Sequence, residues 1–154
     1  MGEPDEQPLD DIDRILVREL VTDGRATLAH LASVAGLSVS AVQARVRRLE
    51  ARGVGAGYAA RLNPEALGNL LSAFVAITPL DPSQPDDAPA RLEHIPEIES
   101  CHSVAGEESY ILQVRVASAR ALEDLLQRIR TAANVRTRST IVLQTFYTGR
   151  DFIP

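Results

Sequence analysis

Along the first third of the chain, apolar positions recur at spacings of three and four, the period of one helical face. Ile12, Ile15, Leu16 and Leu20 define a first helix, with Asp10, Asp11 and Asp13 in its first turn, where negative charge suits the dipole. Asp23-Gly24 breaks it. Thr27 is placed to cap a short second helix whose Leu28, Leu31, Ala32 and Ala35 turn inward. Gly36 supplies a sharp turn, Ser38 caps a third helix, and Gly53 ends it. In that third helix Val39, Val42, Val46 and Leu49 form a stripe that must dock on a core. Three helices with tight joins predict a compact tri-helical, winged-helix-like unit with the second and third spaced as a helix-turn-helix.

The pattern changes after Gly53. Val54 to Leu62 is extended and softened by Gly55 and Gly57. Asn63-Pro64-Glu65-Ala66-Leu67-Gly68 then has a cap-like Asn, a Pro at a first helical position and a Gly stop. Beyond it, 72–78 is strand-like, 87–95 is helical with Leu92 and Ile95 inward, and 98–104 is a strand. Residues 109–116 alternate cleanly, with Tyr110, Leu112, Val114 and Val116 on one face and Gln113 and Arg115 on the other. Leu122, Leu125, Leu126 and Ile129 make 119–130 an amphipathic helix capped by Ser118, and 138–147 reads as a last strand. The order β-α-β-β-α-β is that of a ferredoxin-like sandwich, so the fold class is α+β. The boundaries that follow are 1–8 disordered, 9–53 helix-turn-helix, 54–68 an extended join, and 69–154 the sandwich.

Two helices cover only one face of such a sheet. Yet the first strand is apolar on both faces (Phe74 and Ala76 against Val75 and Ile77), and so is the last (Ile141 and Leu143 against Val142 and Phe146). A second copy of the same sheet is the economical cover and predicts a homodimer; the alternative is the N-terminal domain folding back.

Composition narrows the function. The chain has 154 residues and 45% hydrophobic positions, enough for one domain or two small ones. No apolar run approaches the ~18 residues of a membrane span. The start, MGEPDEQPLDD, lacks the basic and apolar segments of a signal peptide, so a cytoplasmic protein is expected. Net charge is −5, but it is uneven: residues 9–62 carry +2 (eight arginines, six acids) and residues 63–154 carry −4 (eight arginines, twelve acids). A local basic patch attracts phosphates whatever the distant charge, because screening acts over about 8–10 Å. Lysine is absent, so every cation is a guanidinium; a GC-rich coding sequence explains this as well as selection for bidentate contacts does.

The stretch from Ser38 to Arg52 concentrates that basic charge, with four arginines against Glu50. Ser38, Ser40, Ala41, Gln43 and Ala44 occupy its exposed N-terminal half, the part that reaches base edges in a helix-turn-helix. Gln43 offers the donor and acceptor that read adenine. Arg45, Arg47 and Arg48 are expected at phosphates, which position the protein without specifying sequence, and Arg25 is placed to clamp backbone as well.

These features together resemble the Lrp/AsnC (feast/famine) transcription regulators. LDDIDRILVREL at 9–20 looks like the family's opening helix, and GRATLAHLASVAGLSVSAVQARVRRLEARGV at 24–54 is similar to its helix-turn-helix throughout. NPEALG at 63–68 fits the linker, and IESCHSVAGEESYILQVRV at 98–116 fits the centre of the effector-binding (RAM) domain. The resemblance implies a non-enzymatic regulator that reads pseudo-palindromic double-stranded DNA as a homodimer, often assembled into octamers, on the nucleoid. It also implies a small amino-acid effector, with no metal and no further cofactor. The effector site it points to is His102 with the loop Val104, Ala105, Gly106, Glu107, Glu108, Ser109 and Tyr110, together with Thr137, Arg138, Ser139 and Thr140. There the Gly106 backbone and the Ser139 and Thr140 hydroxyls are positioned to take a carboxylate or ammonium group; on residue chemistry alone, an ordinary polar turn reads as well.

Two departures stand out. The family's Gly-x-x-Asp-Tyr reads Gly106-Glu107-Glu108-Ser109-Tyr110 here, leaving Glu107 or Glu108 to supply the acid, and Gly55 stands in the join where Ile is usual. The same two-domain plan is also similar to that of sirohaem decarboxylases, for which His102, Arg115, Arg136 and Arg138 are the available cavity residues. An effector-independent architectural DNA binder is a further reading. His30, His94 and His102 are too dispersed for a metal site, His30 and His94 read as surface residues, and Cys101 is expected as a small packed residue.

Overall fold

The computed structural model describes residues 8–149 except 56, 82, 84 and 85. The expectation of disorder at 1–8 therefore lies, but for Pro8, outside the described residues. The chain divides into two compact units that meet in sequence between Arg61 and Leu62, inside the expected join.

The first unit holds α1 (Asp11–Thr22), α2 (Leu28–Ala35) and α3 (Val39–Ala51). Asp10, Thr27 and Ser38 cap them through side-chain oxygens that accept from Asp13 N, His30 N and Ala41 N. The core is small: Leu16, Leu31, Ala32, Ala35, Val42 and Leu49, flanked by Ile12, Val17, Leu20 and Val46. Burying a side chain such as Val42 or Leu49 stabilises the unit by about 1.5–3 kcal/mol. Two positions differ from the periodic expectation. Val39 is 48% exposed and lies outside this core. Ile15 is only half-buried and lies off the cluster, where Val17 packs instead.

The end of α3 is fixed by backbone geometry. Gly53 adopts φ 71, its N–H donates to Glu50 O at 2.9 Å, and Val54 N donates to Leu49 O at 3.0 Å. That pair of bonds is the Schellman stop, which the left-handed glycine permits. No strand forms among the described residues of 54–63, and NPEALG closes only a turn, with Asn63 accepting from Glu65 N. Five residues are too few for a stable helix without packing.

The second unit runs β1 (Leu71–Pro79), α4 (Ala88–Leu92), β2 (Ile98–Ser103), β3 (Tyr110–Val116), α5 (Ala119–Ala133) and β4 (Val135–Val142). The sheet order is β2-β3-β1-β4 with every pair antiparallel, the ferredoxin-like arrangement. Ala73, Val75 and Ile77 of β1 and Leu112, Val114 and Val116 of β3 pack against Leu92, Leu122, Leu125 and Ile129. The last strand begins three residues earlier than its pattern suggests and stops at Val142. Asn134, left-handed at φ 53, ends α5 and turns the chain straight into β4 with no connecting loop.

Register defines the other face. Phe74 pairs with Thr140, Ala76 with Arg138 and Ile111, and Ser72 with Val142, so these side chains lie opposite the helices. Phe74 is 45% exposed there. Ile141, paired with buried Ala73, is on the helix side and yet is exposed.

Candidate DNA interface and effector cleft

The helix-turn-helix is built from local rules. Gly36, at φ 66, ends α2, Leu37 N donates to Ala32 O at 3.0 Å, and Ser38 opens α3 within two residues. At 100° per residue, Ser40, Gln43, Ala44 and Arg47 project opposite Val42 and Leu49. Ser38, Ser40, Ala44 and Arg47 are exposed, and Ala41 and Gln43 half-exposed. Ser38 Oγ and Ser40 Oγ lie 3.2 Å apart. Arg25 is exposed just ahead of α2, its backbone N–H held by Asp23. Arg47 makes no hydrogen bond or ion pair among the described residues.

Arg45 and Arg48 sit differently. They fall on the flank of α3 that faces α1, and Arg45 Nη1 donates to Asp10 Oδ2 at 2.6 Å and to Asp13 Oδ1 at 2.8 Å. Arg48 Nη2 donates to both Asp13 oxygens at 3.2 and 3.1 Å. Asp13 is 2% exposed, the one charged residue buried among those described. The Asp13 backbone N–H and the Arg45 guanidinium hold the Asp10 carboxyl below its ordinary range, and the two carboxylates raise Arg45 in turn. Sequence pattern placed Asp10, Asp11 and Asp13 in the helix dipole; it did not show that two of them reach across to α3.

On the open face of the sheet, a cleft of about 420 Å³ is lined by Ala76, Thr78, Glu107, Glu108, Arg136, Thr137 and Arg138. Val104 N donates to Ser109 O and Ser109 N to Ile77 O, both at 3.1 Å, which pins the ends of the β2–β3 loop and leaves Gly106–Glu108 projecting. The Glu108 carboxylate accepts from the Arg138 guanidinium across the cleft. Two acids and two guanidiniums thus face one another over a floor of Ala76 and Thr78.

The expected effector residues are only partly gathered here. Glu107, Glu108 and Arg138 are, and Thr137 borders the cleft although its hydroxyl accepts from Arg130 at 3.1 Å on the helix side. Ser139 pairs with buried Val75, so its hydroxyl also points to the helix side, away from the cleft. Thr140 is on the correct face but opposite Phe74, one pleat further along. Tyr110 is on the helix side, where the Asp86 carboxylate, as its hydrogen-bond partner, raises the phenol above its usual range. His102 shares the open face, but β3 and β1 separate it from Arg138, and its Nε2 lies 3.0 Å from Ser100 Oγ. Ala105 and Gly106 are exposed, Val104 and Ser109 half-buried. Thr78 is not among the sequence candidates, and Arg136 is one only for the decarboxylase cavity, although it stands two residues before Arg138 and so shares its face.

The remaining candidates are structural or idle. His30 Nε2 meets Glu19 Oε2 at 2.8 Å, and His94 is exposed. Cys101 is exposed on edge strand β2 rather than packed, with partial burial still pushing its thiol up. No group of metal-binding side chains gathers among the described residues, nor is any helix there long and apolar enough to cross a membrane.

Residues 9–50 match the AsnC-type helix-turn-helix domain and residues 72–152 the Lrp/AsnC ligand binding domain. The chain belongs to the Lrp/AsnC family of transcriptional regulators. It is 81% identical over 148 residues to the HTH-type transcriptional regulator LrpA of Mycobacterium tuberculosis, covering 96% of this chain and 99% of the relative. The feast or famine regulatory protein of M. tuberculosis complexed with L-methionine has a TM-score of 0.92 at 82% identity, over 96% of this chain and 100% of that one. A transcriptional regulator of Neisseria meningitidis in complex with L-Met has a TM-score of 0.83 at 27% identity, over 92% and 94%. These Lrp/AsnC relatives are named as regulators, which sets aside the decarboxylase reading, and α3 is the second helix of this regulator's DNA-binding motif.

Proposed function

We propose that this Lrp/AsnC regulator reads pseudo-palindromic DNA as a homodimer and that a small amino acid, seated in the cleft between Glu107/Glu108 and Arg136/Arg138, modulates it. The observation that carries the effector reading is the pairing of opposite charges in one cleft. An amino-acid zwitterion needs a cation for its carboxylate and an anion for its ammonium, and the cleft offers both within one side chain's reach. Relatives whose structures are complexes with L-methionine support that ligand class.

On DNA, Ser38, Ser40, Ala41, Gln43 and Ala44 meet base edges, while Arg25 and Arg47 meet phosphate. Arg45 and Arg48 join them only through guanidinium N–H groups that Asp10 and Asp13 leave unoccupied. The dimer forms through the open faces of two sheets, around Phe74, Ile111 and Val142, and dimers associate further into octamers. Such a protein works in the cytoplasm on the nucleoid. Domain limits of 9–53, 54–68 and 69–154 describe this division of labour.

The test is a gel-shift titration of the protein on duplex selected from a random library, with and without millimolar L-methionine, alongside sedimentation velocity. A change in affinity or assembly supports the sensing reading. Indifference of both to L-methionine and to the other protein amino acids returns the chain to an effector-independent architectural role, for which the Glu108–Arg138 pair merely satisfies itself.

A further inference from the structure

Asp13 is buried, and a gain in stability alone is a weak reason for a carboxylate there. An ion pair taken out of water recovers little more than its desolvation cost, and an apolar residue of similar size commonly serves a core as well. What Asp13 does is geometric. Its carboxylate takes one Nη of Arg45 and one of Arg48, side chains one helical turn apart on the flank of α3, while Asp10 takes the same Nη1 of Arg45. A guanidinium has five donors in a fixed fork. With Nη1 engaged, the Nε–Nη2 edge of Arg45 remains for one phosphate, and it can point only where Asp13 lets it. The two carboxylates also offset two of the four positive charges that the segment from Ser38 to Arg52 carries.

Both effects act on the sequence-blind part of binding. Non-specific affinity comes from mobile cations neutralising phosphates wherever they meet them. Cations that are locked and half-neutralised contribute less to that, but contribute fully when the duplex sits in the one register that meets their free edges. We propose that Asp13 is a positioning residue that sets DNA specificity, by fixing and partly neutralising Arg45 and Arg48 on the shoulder of the recognition helix. This rests on α3 being the helix that enters the groove.

The experiment compares the full chain with Asp13→Asn on two duplexes: one selected from a random library by the wild-type protein, and a scrambled duplex of the same composition. Affinities are measured by fluorescence anisotropy from about 50 to 200 mM salt, the range over which phosphate contacts are resolved. The expected result is divergence. Binding to the scrambled duplex tightens and its salt slope steepens by about one phosphate equivalent, binding to the selected duplex weakens, and the specificity ratio falls about tenfold or more. Thermal melts by circular dichroism accompany each variant. If Asp13→Asn does not fold, Asp10→Asn is read instead, since asparagine keeps the N-cap while releasing one Arg45 bond; the ratio should fall in the same direction by a smaller factor.

Parallel loss on both duplexes makes Asp13 a fold residue only and overturns the proposal, as does an unchanged ratio. A wild-type chain that binds no duplex overturns the reading of α3 and this proposal together, so the two failures are distinguishable.

Discussion

The Glu108 carboxylate, on the loop before β3, accepts a hydrogen bond from the Arg138 guanidinium on β4, joining residues 30 apart in sequence across the mouth of one cleft. A ligand that uses both groups must open this pair and replace each half. Removing the charge from Glu108 should therefore weaken the ligand rather than the fold. Glu108→Gln is expected to cut L-methionine affinity about 10- to 100-fold, the equivalent of a charge-assisted hydrogen bond of roughly 1.5–3 kcal/mol. Titration calorimetry reads this directly, and equal affinity would remove Glu108 from the site.

Gly106 gives a cleaner probe of the same loop. A Cβ added there meets no atom within 4 Å, and its backbone is not left-handed, so the chain itself tolerates a side chain. Gly106→Asp should leave the melting temperature within a degree or two while abolishing amino-acid binding, since it adds a third carboxylate beside Glu107 and Glu108. A fully retained calorimetric signal would place the effector elsewhere.

Arg47 is the exposed cation of α3 without a protein partner among the described residues, on the face opposite Val42. Arg47→Ala should weaken selected and scrambled duplexes alike and make the salt slope shallower by about one. A loss confined to the selected duplex would instead assign Arg47 to base edges.

The Asp10 carboxyl predicts an acid limb for the first unit. Its folded-state pKa is depressed, first by the Asp13 backbone N–H and then by the Arg45 guanidinium. A depressed carboxyl stabilises the fold above its unfolded value, and that stability disappears as pH falls through the folded value, below the ordinary carboxylate range. The side chain is half-exposed, so salt and solvent shrink the effect. Asp10→Asn should flatten the loss of stability on acidification, measured by urea titrations at descending pH, and high salt should flatten the wild-type curve too. Identical acid limbs for the two proteins would show that Asp10 is not linked to folding.

What the sequence displays and what it hides follow from the same physics. Thr27, Ser38 and Ser118 are legible as caps because the signal is local, and β3 is legible because Leu112, Val114 and Val116 alternate against one buried face. Asp13 is not: an acid in a first turn already has a sufficient local reason to be there, and its second partner lies 35 residues away. The start of β4 is hidden because Arg136, Thr137, Arg138, Ser139 and Thr140 carry no apolar alternation, and only pairing with β1 assigns their sides. For that reason the sequence does not show that Ser139 and Arg136 lie on opposite faces of the sheet, and it offers Arg136 only for the decarboxylase cavity. Effector chemistry could be read as a loop; the cleft needed the register.

Phe74 tests the assembly. It stands on the face of β1 opposite the helices, 45% exposed, with Ile111 and Val142 on the same face. An aromatic side chain left half in water on a sheet face is a strong candidate for burial against a partner, and in a symmetric pair the change is felt twice. Phe74→Glu places like charges opposite each other without touching the helix-side core of Val75 and Leu125, which are fully buried. The variant should keep its circular dichroism spectrum, sediment as a monomer at micromolar concentration, and bind a two-half-site duplex no better than a single half-site. A Phe74→Glu protein that remains dimeric would mean that the copies pair through another surface, and the two recognition helices would then need a different spacing on DNA.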